Sequence, residues 1–246
     1  MLGIDLFFIV AFVAAAVAGV VGFGTATLTI PFLVWIIGFK QAIILVAFFH
    51  GFSNLFRLLK LRQSVNIRLM LLYGIPSIIT AIIGACLLDI VAPKGIGLAA
   101  GIFLIIFSIY SLINPRWILP QKNYILISGG LLSGFTSGLI GLGGAIRSAF
   151  LISTSIPKET YVATMAAISL ATDIARCSTY ILRGSLESQY YWYIPVLSVV
   201  GYLGTWAGVK LLKQFTDSIV RKTVLVVLTL VSVCFIFNYL GVVNIG

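Results

Sequence analysis

Acidic residues are scarce in this chain. Six Asp and Glu stand against sixteen Lys and Arg in 246 residues, there is a single histidine, and charged residues make up 9% of the whole. Soluble domains carry about 25% charged residues, so an ordinary soluble fold is excluded. The shortage of acids also limits the chemistry. No paired carboxylates and no nucleophile-base spacing occur, which leaves an intramembrane enzyme as the weakest of the alternatives. The three cysteines, Cys86, Cys177 and Cys234, are far apart in apolar segments and lack metal-ligand spacing. They are expected to be small buried residues, and neither a metal nor a cofactor is implied. The N-terminal stretch has no basic n-region and no cleavage site before a polar domain, so the first apolar stretch is expected to be structural.

Hydrophobic residues fill the space that charge leaves. They make up 61% of the chain, and mean hydropathy is +1.16. Apolar segments near 20 residues long recur from end to end, which is the pattern of an all-α polytopic membrane protein. The net charge of +10 would suggest nucleic acid in a soluble chain. Here the basic residues cluster in short loops, and the partner they imply is the anionic lipid surface. A multi-pass cell-membrane protein, bacterial or archaeal, is expected.

One glycine-rich stretch occurs twice. Gly19, Gly22, Gly24 and Ala26 fall on Gly138, Gly141, Gly143 and Ala145 at an offset of 119 residues. At the same offset Arg57 falls on Arg176 and Ile75-Pro76 on Ile194-Pro195. Fixed-period self-similarity of this kind marks a duplicated unit. The expected division is a first repeat over 1–114, a linker over 115–122 and a second repeat over 123–246, all in one membrane domain. About eight hydrophobic segments follow: 5–37 broken at Gly22-Phe23-Gly24, 41–60, 69–88 with Pro76 inside, 95–113 leading to the turn Asn114-Pro115-Arg116, 123–153 broken at Gly141–Gly144, 160–182, 190–212 and 219–240. Tyr190, Tyr191, Trp192 and Tyr193 read as an interfacial aromatic belt.

Each broken segment is either a tilted span or a hairpin. Residues 5–37 as one helix would run about 50 Å, against a hydrocarbon core of roughly 30 Å. Charge favours the hairpin. With single crossings, and with Arg147 and Arg176 set aside, the other Lys and Arg split seven against seven. With hairpins, Arg57, Lys60, Arg62, Arg68, Arg116, Lys122, Lys158, Lys210, Lys213, Arg221 and Lys222 share one side, and only Lys40, Lys94 and Arg183 lie opposite. That bias is the one the positive-inside rule expects. Each unit then crosses three times, both termini face outward, and the two units form an inverted repeat.

A chain that turns inside a membrane needs protein or water to cover its freed backbone groups. Each turn begins a half-helix, near Thr25 and near Gly144, whose free N–H groups favour an anion. The alternative is that the glycines serve close helix packing. Gly24, Thr25, Thr27, Gly143 and Gly144 are the candidate binding residues at the turns. Arg147, one turn past the second break, is the leading candidate for an anion ligand, because a guanidinium in a membrane needs a partner or a cavity. Asp173 and Arg176 stand three apart on one helix and can pair locally. Their repeat-mates Asn54 and Arg57 are also polar and three apart. His50, one turn before Asn54, is either hydrogen-bonded structure or a proton carrier. Glu159 reads as a loop charge beside Lys158.

Gly-x-Gly followed by small residues, an apolar stretch and a Pro-Phe-Leu or similar end, in both halves of such a chain, resembles the sulfite exporter TauE/SafE family, also called toluene sulfonate uptake permeases. The matching residues are Gly22, Gly24, Thr25 and Pro31-Phe32-Leu33 in the first copy and Gly141, Gly143, Gly144 and Leu151 in the second. Thr25 and Ala26 stand where the family has further glycines, Phe150 where proline is usual, and Arg147 where an apolar residue is frequent. The resemblance implies transport of sulfite, sulfoacetate or other sulfonates. The expectation is a secondary transporter of a small anion working by alternating access, with Arg147, Arg57 and Arg176 at the substrate and His50, Asn54 or Asp173 coupling a proton or other ion. A passive anion channel is the second reading.

Overall fold

A computed structural model of the chain describes residues 2–88, 90, 93–114, 119–154 and 156–239. Pro115 and Arg116 of the expected polar turn, part of the 115–122 linker, and the side chains of Pro31, Lys94 and Cys234 lie outside the described residues. The described part is helical and shows no strand. Its α-helices are α1 (Leu2–Val21), α2 (Thr25–Ile37), α3 (Phe39–Leu61), α4 (Ile67–Leu87), α5 (Pro93–Ile113), α6 (Asn123–Ile140), α7 (Gly143–Ile152), α8 (Lys158–Leu182), α9 (Tyr193–Leu212) and α10 (Asp217–Tyr239).

Among the described residues, four stretches are long and apolar enough to cross a membrane: Phe39–Ser64, Ile67–Leu87, Asn123–Ile140 and Ser188–Leu212. Shorter apolar helices accompany them, including Leu6–Val21, Leu98–Ile113 and Gly143–Ile152. α8 falls outside both groups because Ser169, Thr172, Asp173 and Arg176 lower its hydropathy. Those residues point inward and are buried, while Ile75, Ile79 and Ile82 of α4 and Val199, Tyr202 and Trp206 of α9 are exposed. An apolar exterior over a partly polar interior suits a lipid surround.

Both glycine-rich stretches break the helix, and their glycines divide by role. Gly22, Gly24 and Gly141 have φ of +82°, +116° and +75°, backbone that L side chains rarely adopt. Gly19 and Gly138 instead sit inside helices at close contacts. Gly138 continues a stripe with Gly130 and Gly134 on α6, where added β-carbons would lie 2.1–2.3 Å from the carbonyl oxygens of Ala81, Tyr73 and Ser77 on α4. This is small-xxx-small packing, in which the backbones themselves meet. Past each break the chain folds back. Phe7 of α1 stacks on Phe32 of α2 with centroids 6.4 Å apart, while Gly24 lies beside Val17. Gly129 of α6 faces Phe150 of α7, and Gly143 faces Ser133 and Ser137.

The helix pairings map onto one another when the first five helices are exchanged with the last five. α4 packs on α6 as α9 packs on α1, α4 meets α8 as α9 meets α3, and α3·α8 and α5·α10 pair with their own mates. Directions are set by hydrogen bonds. Gln41 at the start of α3 bonds the Ser185 carbonyl just past the end of α8, His50 meets Asp173, and the Asn66 N–H beyond α3 bonds Thr164 near the start of α8. α3 and α8 therefore run in opposite directions.

The offset of 119 residues holds through α8 and then fails. Arg57 and Arg176 are each the nineteenth residue of their helix. Pro76, however, is the tenth residue of α4, whereas Pro195 is the third of α9. The match of Ile75-Pro76 with Ile194-Pro195 is thus coincidental in space. Ten residues join α8 to α9 where five join α3 to α4, and the surplus shifts the register. Within the aromatic cluster, Tyr191 and Trp192 are exposed, but Tyr193 turns inward onto Phe8.

The interior is layered. One apolar cluster takes Ala42–Phe49 of α3 and Cys177 and Tyr180 of α8. The other takes Leu61 of α3 and Tyr161, Val162, Ala163, Met165 and Ile168 of α8. Between them both helices turn polar, over His50–Arg57 and Ser169–Arg176.

Candidate functional site

The polar layer forms because α3 and α8 cross there with polar residues three and four apart on their facing sides. Asp173 is its hub. Its Oδ1 accepts from Arg176 Nε at 2.9 Å and lies 2.8 Å from Arg176 Nη2. Its Oδ2 lies 2.8 Å from His50 Nδ1 and accepts from Asn54 Nδ2 at 3.0 Å. Asn54 Oδ1 in turn accepts from Arg57 Nη1 at 3.0 Å. His50, Asn54, Arg57, Asp173 and Arg176 are therefore one network spanning both halves.

Two of these arginines hold the glycine turns. Arg57 Nη1 donates to the Gly22 carbonyl at 3.1 Å, and Arg176 Nη1 to the Ser137 carbonyl at 2.9 Å. Two tyrosines on α8 act beside them. Tyr180 donates to the Gly138 carbonyl at 2.6 Å and Tyr161 to the Val21 carbonyl at 3.0 Å. The Tyr161 oxygen also lies 2.5 Å from Ser148 Oγ. The Val21, Gly22 and Gly138 carbonyls beside the breaks thus find side-chain donors, as a turn buried in apolar surroundings requires, and Ser137 accepts from Arg176 in addition to the Gly141 N–H. The breaks approach one another. A β-carbon on Gly144 would lie 3.5 Å from Phe23 Cβ and 4.0 Å from His50 Nε2.

Arg147 stands apart. It is 1% exposed, and its partners are hydroxyl groups. Nη1 donates to Ser169, and Nη2 donates to Ser77 at 3.3 Å and Thr172 at 3.4 Å, while Nε has no partner. Arg57 is 0% exposed, and its Nε and Nη2 also lack partners. Three buried guanidinium groups thus share one buried carboxylate among the described residues, and Asp173 pairs with Arg176. Two positive charges lack an acidic partner. Burying an unpaired charge costs several kcal/mol, so the arrangement is suited to an anion that supplies the missing charge.

The remaining candidates divide. Thr25 opens α2, is fully buried, and its hydroxyl lacks a partner. Thr29 turns its hydroxyl back to the Thr25 carbonyl at 2.6 Å, the local bonding common for helix hydroxyls. Thr27 is buried on the same helix. Gly24 sits at the turn, and Gly143 packs against α6 rather than against Arg147. Glu159 lies 3.6 Å from Lys158 at the start of α8, outside the network. Ser77, Ser169, Thr172 and Tyr161 were not expected at the site. Their signal was the polar stripe Tyr161, Ser169, Thr172, Arg176 and Tyr180 at helical spacing along α8.

A family model for the sulfite exporter TauE/SafE proteins matches residues 7–235, nearly the whole chain. The chain belongs to the sulfite exporter TauE/SafE family. Among the curated proteins and the solved structures, nothing matches it. TauE/SafE proteins are membrane transporters of sulfite and related anions, so this chain is a multi-pass transporter with a small anionic substrate. Its TauE/SafE character agrees with the unpaired guanidinium groups.

Proposed function

We propose that this TauE/SafE chain is a secondary transporter that carries a sulfonate or sulfite-like anion across the cell membrane by alternating access. Arg147 is the substrate's counter-charge, Arg57 adds positive potential, and Thr25 at the start of α2 supplies a hydroxyl. Arg176, engaged by Asp173 and by the Ser137 carbonyl, positions the second turn. The single observation that carries the reading is Arg147, buried among hydroxyl groups with no carboxylate partner.

The proposed architecture is two inverted repeats, 1–114 and 123–246, each with three crossings and one re-entrant hairpin. The exchange symmetry of the helix pairings and the opposed directions of α3 and α8 support it. The fold-back of α2 along α1 and of α7 along α6 supports the hairpins. Burial of the whole polar layer corresponds to an occluded state of the rocking cycle. The same reading assigns a coupled proton to the His50–Asp173 pair. Uptake that stays pH-driven after both are replaced would remove that assignment.

The test is thermal stability of the purified protein with sulfite, sulfoacetate, taurine, acetate or phosphate, for wild type and Arg147→Met. Stabilisation by a sulfonate or sulfite is expected in wild type and absent in the variant. Without anion the variant should be at least as stable, because an apolar side chain in place of an unpaired buried charge is neutral or stabilising. A ligand response that survives in Arg147→Met would refute the assignment.

A further inference from the structure

We infer that the central site selects a doubly charged small anion, and that Arg57 sets this preference. The preference rests on the reading of Arg147 as the substrate's counter-charge and goes beyond it. Arg147 alone asks for one negative charge, whereas the buried layer asks for two.

The two glycine breaks bring both guanidinium groups to one place. Arg57 donates to the Gly22 carbonyl at 3.1 Å, and Arg147 is the fifth residue of α7. A β-carbon on Gly144 would lie 3.5 Å from Phe23 Cβ, so the starts of α2 and α7 are adjacent. Tyr161 ties them together. Its hydroxyl donates to the Val21 carbonyl at 3.0 Å and lies 2.5 Å from the Oγ of Ser148, next in sequence to Arg147. Tyr161 is also within electrostatic reach of both Arg57 and Arg147. An anion lodged between the breaks therefore meets one arginine from each half.

The charge of the layer follows from its formal ions. Arg57, Arg147, Arg176 and Asp173 are all buried, and guanidinium groups stay protonated in proteins. Asp173 is engaged by Arg176. With His50 neutral, Arg57 and Arg147 leave an excess of two positive charges. Arg57 Nε and Nη2 and Arg147 Nε are buried without a partner, which marks where acceptors are missing. A monoanion leaves one buried cation unpaired, and that is the costly arrangement. A dianion pairs both. The helices reinforce the excess. Neither α2 nor α7 begins with a side-chain cap, and each helix N-terminus acts as roughly half a positive charge.

The excess comes from two departures from the duplicated plan. At the offset of 119 residues Arg57 matches Arg176, but Asn54 stands where the second half has Asp173. Arg176 meets a carboxylate at 2.8 and 2.9 Å, whereas Arg57 meets the Asn54 amide oxygen at 3.0 Å. The first half thus keeps the cation and omits the acid. In the second half Arg147 stands where the first has Leu28. The ligand class is a compact oxyanion with two charges, and a singly charged sulfonate of the same shape is the disfavoured competitor.

The test pairs sulfate with methanesulfonate, which share a tetrahedral shape and differ by one charge. Purified protein in detergent is titrated calorimetrically at one ionic strength and at about pH 8, above the ordinary histidine range. Sulfate should bind tighter by about tenfold or more, the equivalent of one charge-assisted hydrogen bond. In Arg57→Gln, whose amide can still donate to the Gly22 carbonyl, the ratio should fall to within about threefold. Arg57→Lys keeps the charge and should keep the preference. Methanesulfonate binding as tightly as sulfate in wild type would overturn the inference. So would a preference that survives Arg57→Gln or is lost in Arg57→Lys. The wild-type ratio decides by itself if a variant does not fold. Arg147→Met separates the preference from the central-site reading. Loss of both anions in that variant keeps Arg147 at the substrate whatever the ratio. Unchanged binding of both in Arg147→Met, or binding of neither by wild type, removes the central-site reading and the dianion preference with it.

Discussion

Asp173→Asn tests whether the polar layer is held by one carboxylate. The substitution keeps the shape and removes the charge. Arg176, 1% exposed, loses its ionic partner, while His50 and Asn54 face an amide that can accept at only one of its two ends. Removing one partner of a buried pair costs about 3–5 kcal/mol, because the other charge is left in low dielectric. For a domain of 150–250 residues each kcal/mol moves the melting temperature by about 2–4 °C, so a fall of roughly 6–20 °C is expected. The assay is apparent melting in detergent without added anion, followed by tryptophan fluorescence and by recovery on size exclusion. The paired variant Asp173→Asn with Arg176→Gln should recover more than half of the loss, since the stranded charge is gone. A single variant melting within about 3 °C of wild type, or a double variant whose loss equals the sum of the two singles, would refute the hub.

Three further outcomes are expected. Tyr161→Phe leaves the Val21 carbonyl and the Ser148 hydroxyl unpaired and should cost about 1–3 kcal/mol; melting within 1 °C of wild type would contradict it. Gly134→Leu places side-chain atoms where a β-carbon alone would be 2.1 Å from the Ser77 carbonyl. It should abolish recovery of monodisperse protein, and normal yield would show that α4 and α6 are not in backbone contact. Gly141→Ala and Gly38→Ala share a positive φ, but a β-carbon on Gly141 meets Ile30 at 2.3 Å and one on Gly38 meets nothing within 4 Å. The Gly38 change, at φ +79° and ψ 163°, should cost about 1–3 kcal/mol from its backbone alone, and the Gly141 change about 1–2 kcal/mol from its left-handed backbone together with a shift of the Ile30 tip; melting of either variant within about 1 °C of wild type would contradict the turn geometry.

Hydropathy carried much of the helix plan. The expected segments agree with α1–α10 to within a few residues at most ends, because long apolar runs bounded by charge leave little choice of element. The breaks were legible from the glycines, but the division of labour among them was not. Gly138 and Gly141 look alike in sequence, yet one packs against α4 and the other turns the chain, and only the partner helix decides which. At the site, Asp173 and Arg176 declared themselves by spacing, whereas the bond from Asp173 to Asn54 spans 119 residues and depends on how α3 crosses α8. The hydroxyl groups around Arg147 come from α4 and α8, and serines in apolar helices are too common to be singled out beforehand.

The pairing of α1 with α9 has a consequence for how the protein is made. α1 leaves the ribosome well before α9, whose surface around Gly204 and Gly208 it packs against. α4 must likewise wait for α6. The first half therefore enters the bilayer with its small-residue faces uncovered, and its glycine turn at Gly22 has no Tyr161 to receive it until α8 follows. Neither half is a folding unit by itself. The two should assemble when expressed as separate chains together, and each should be degraded when expressed alone.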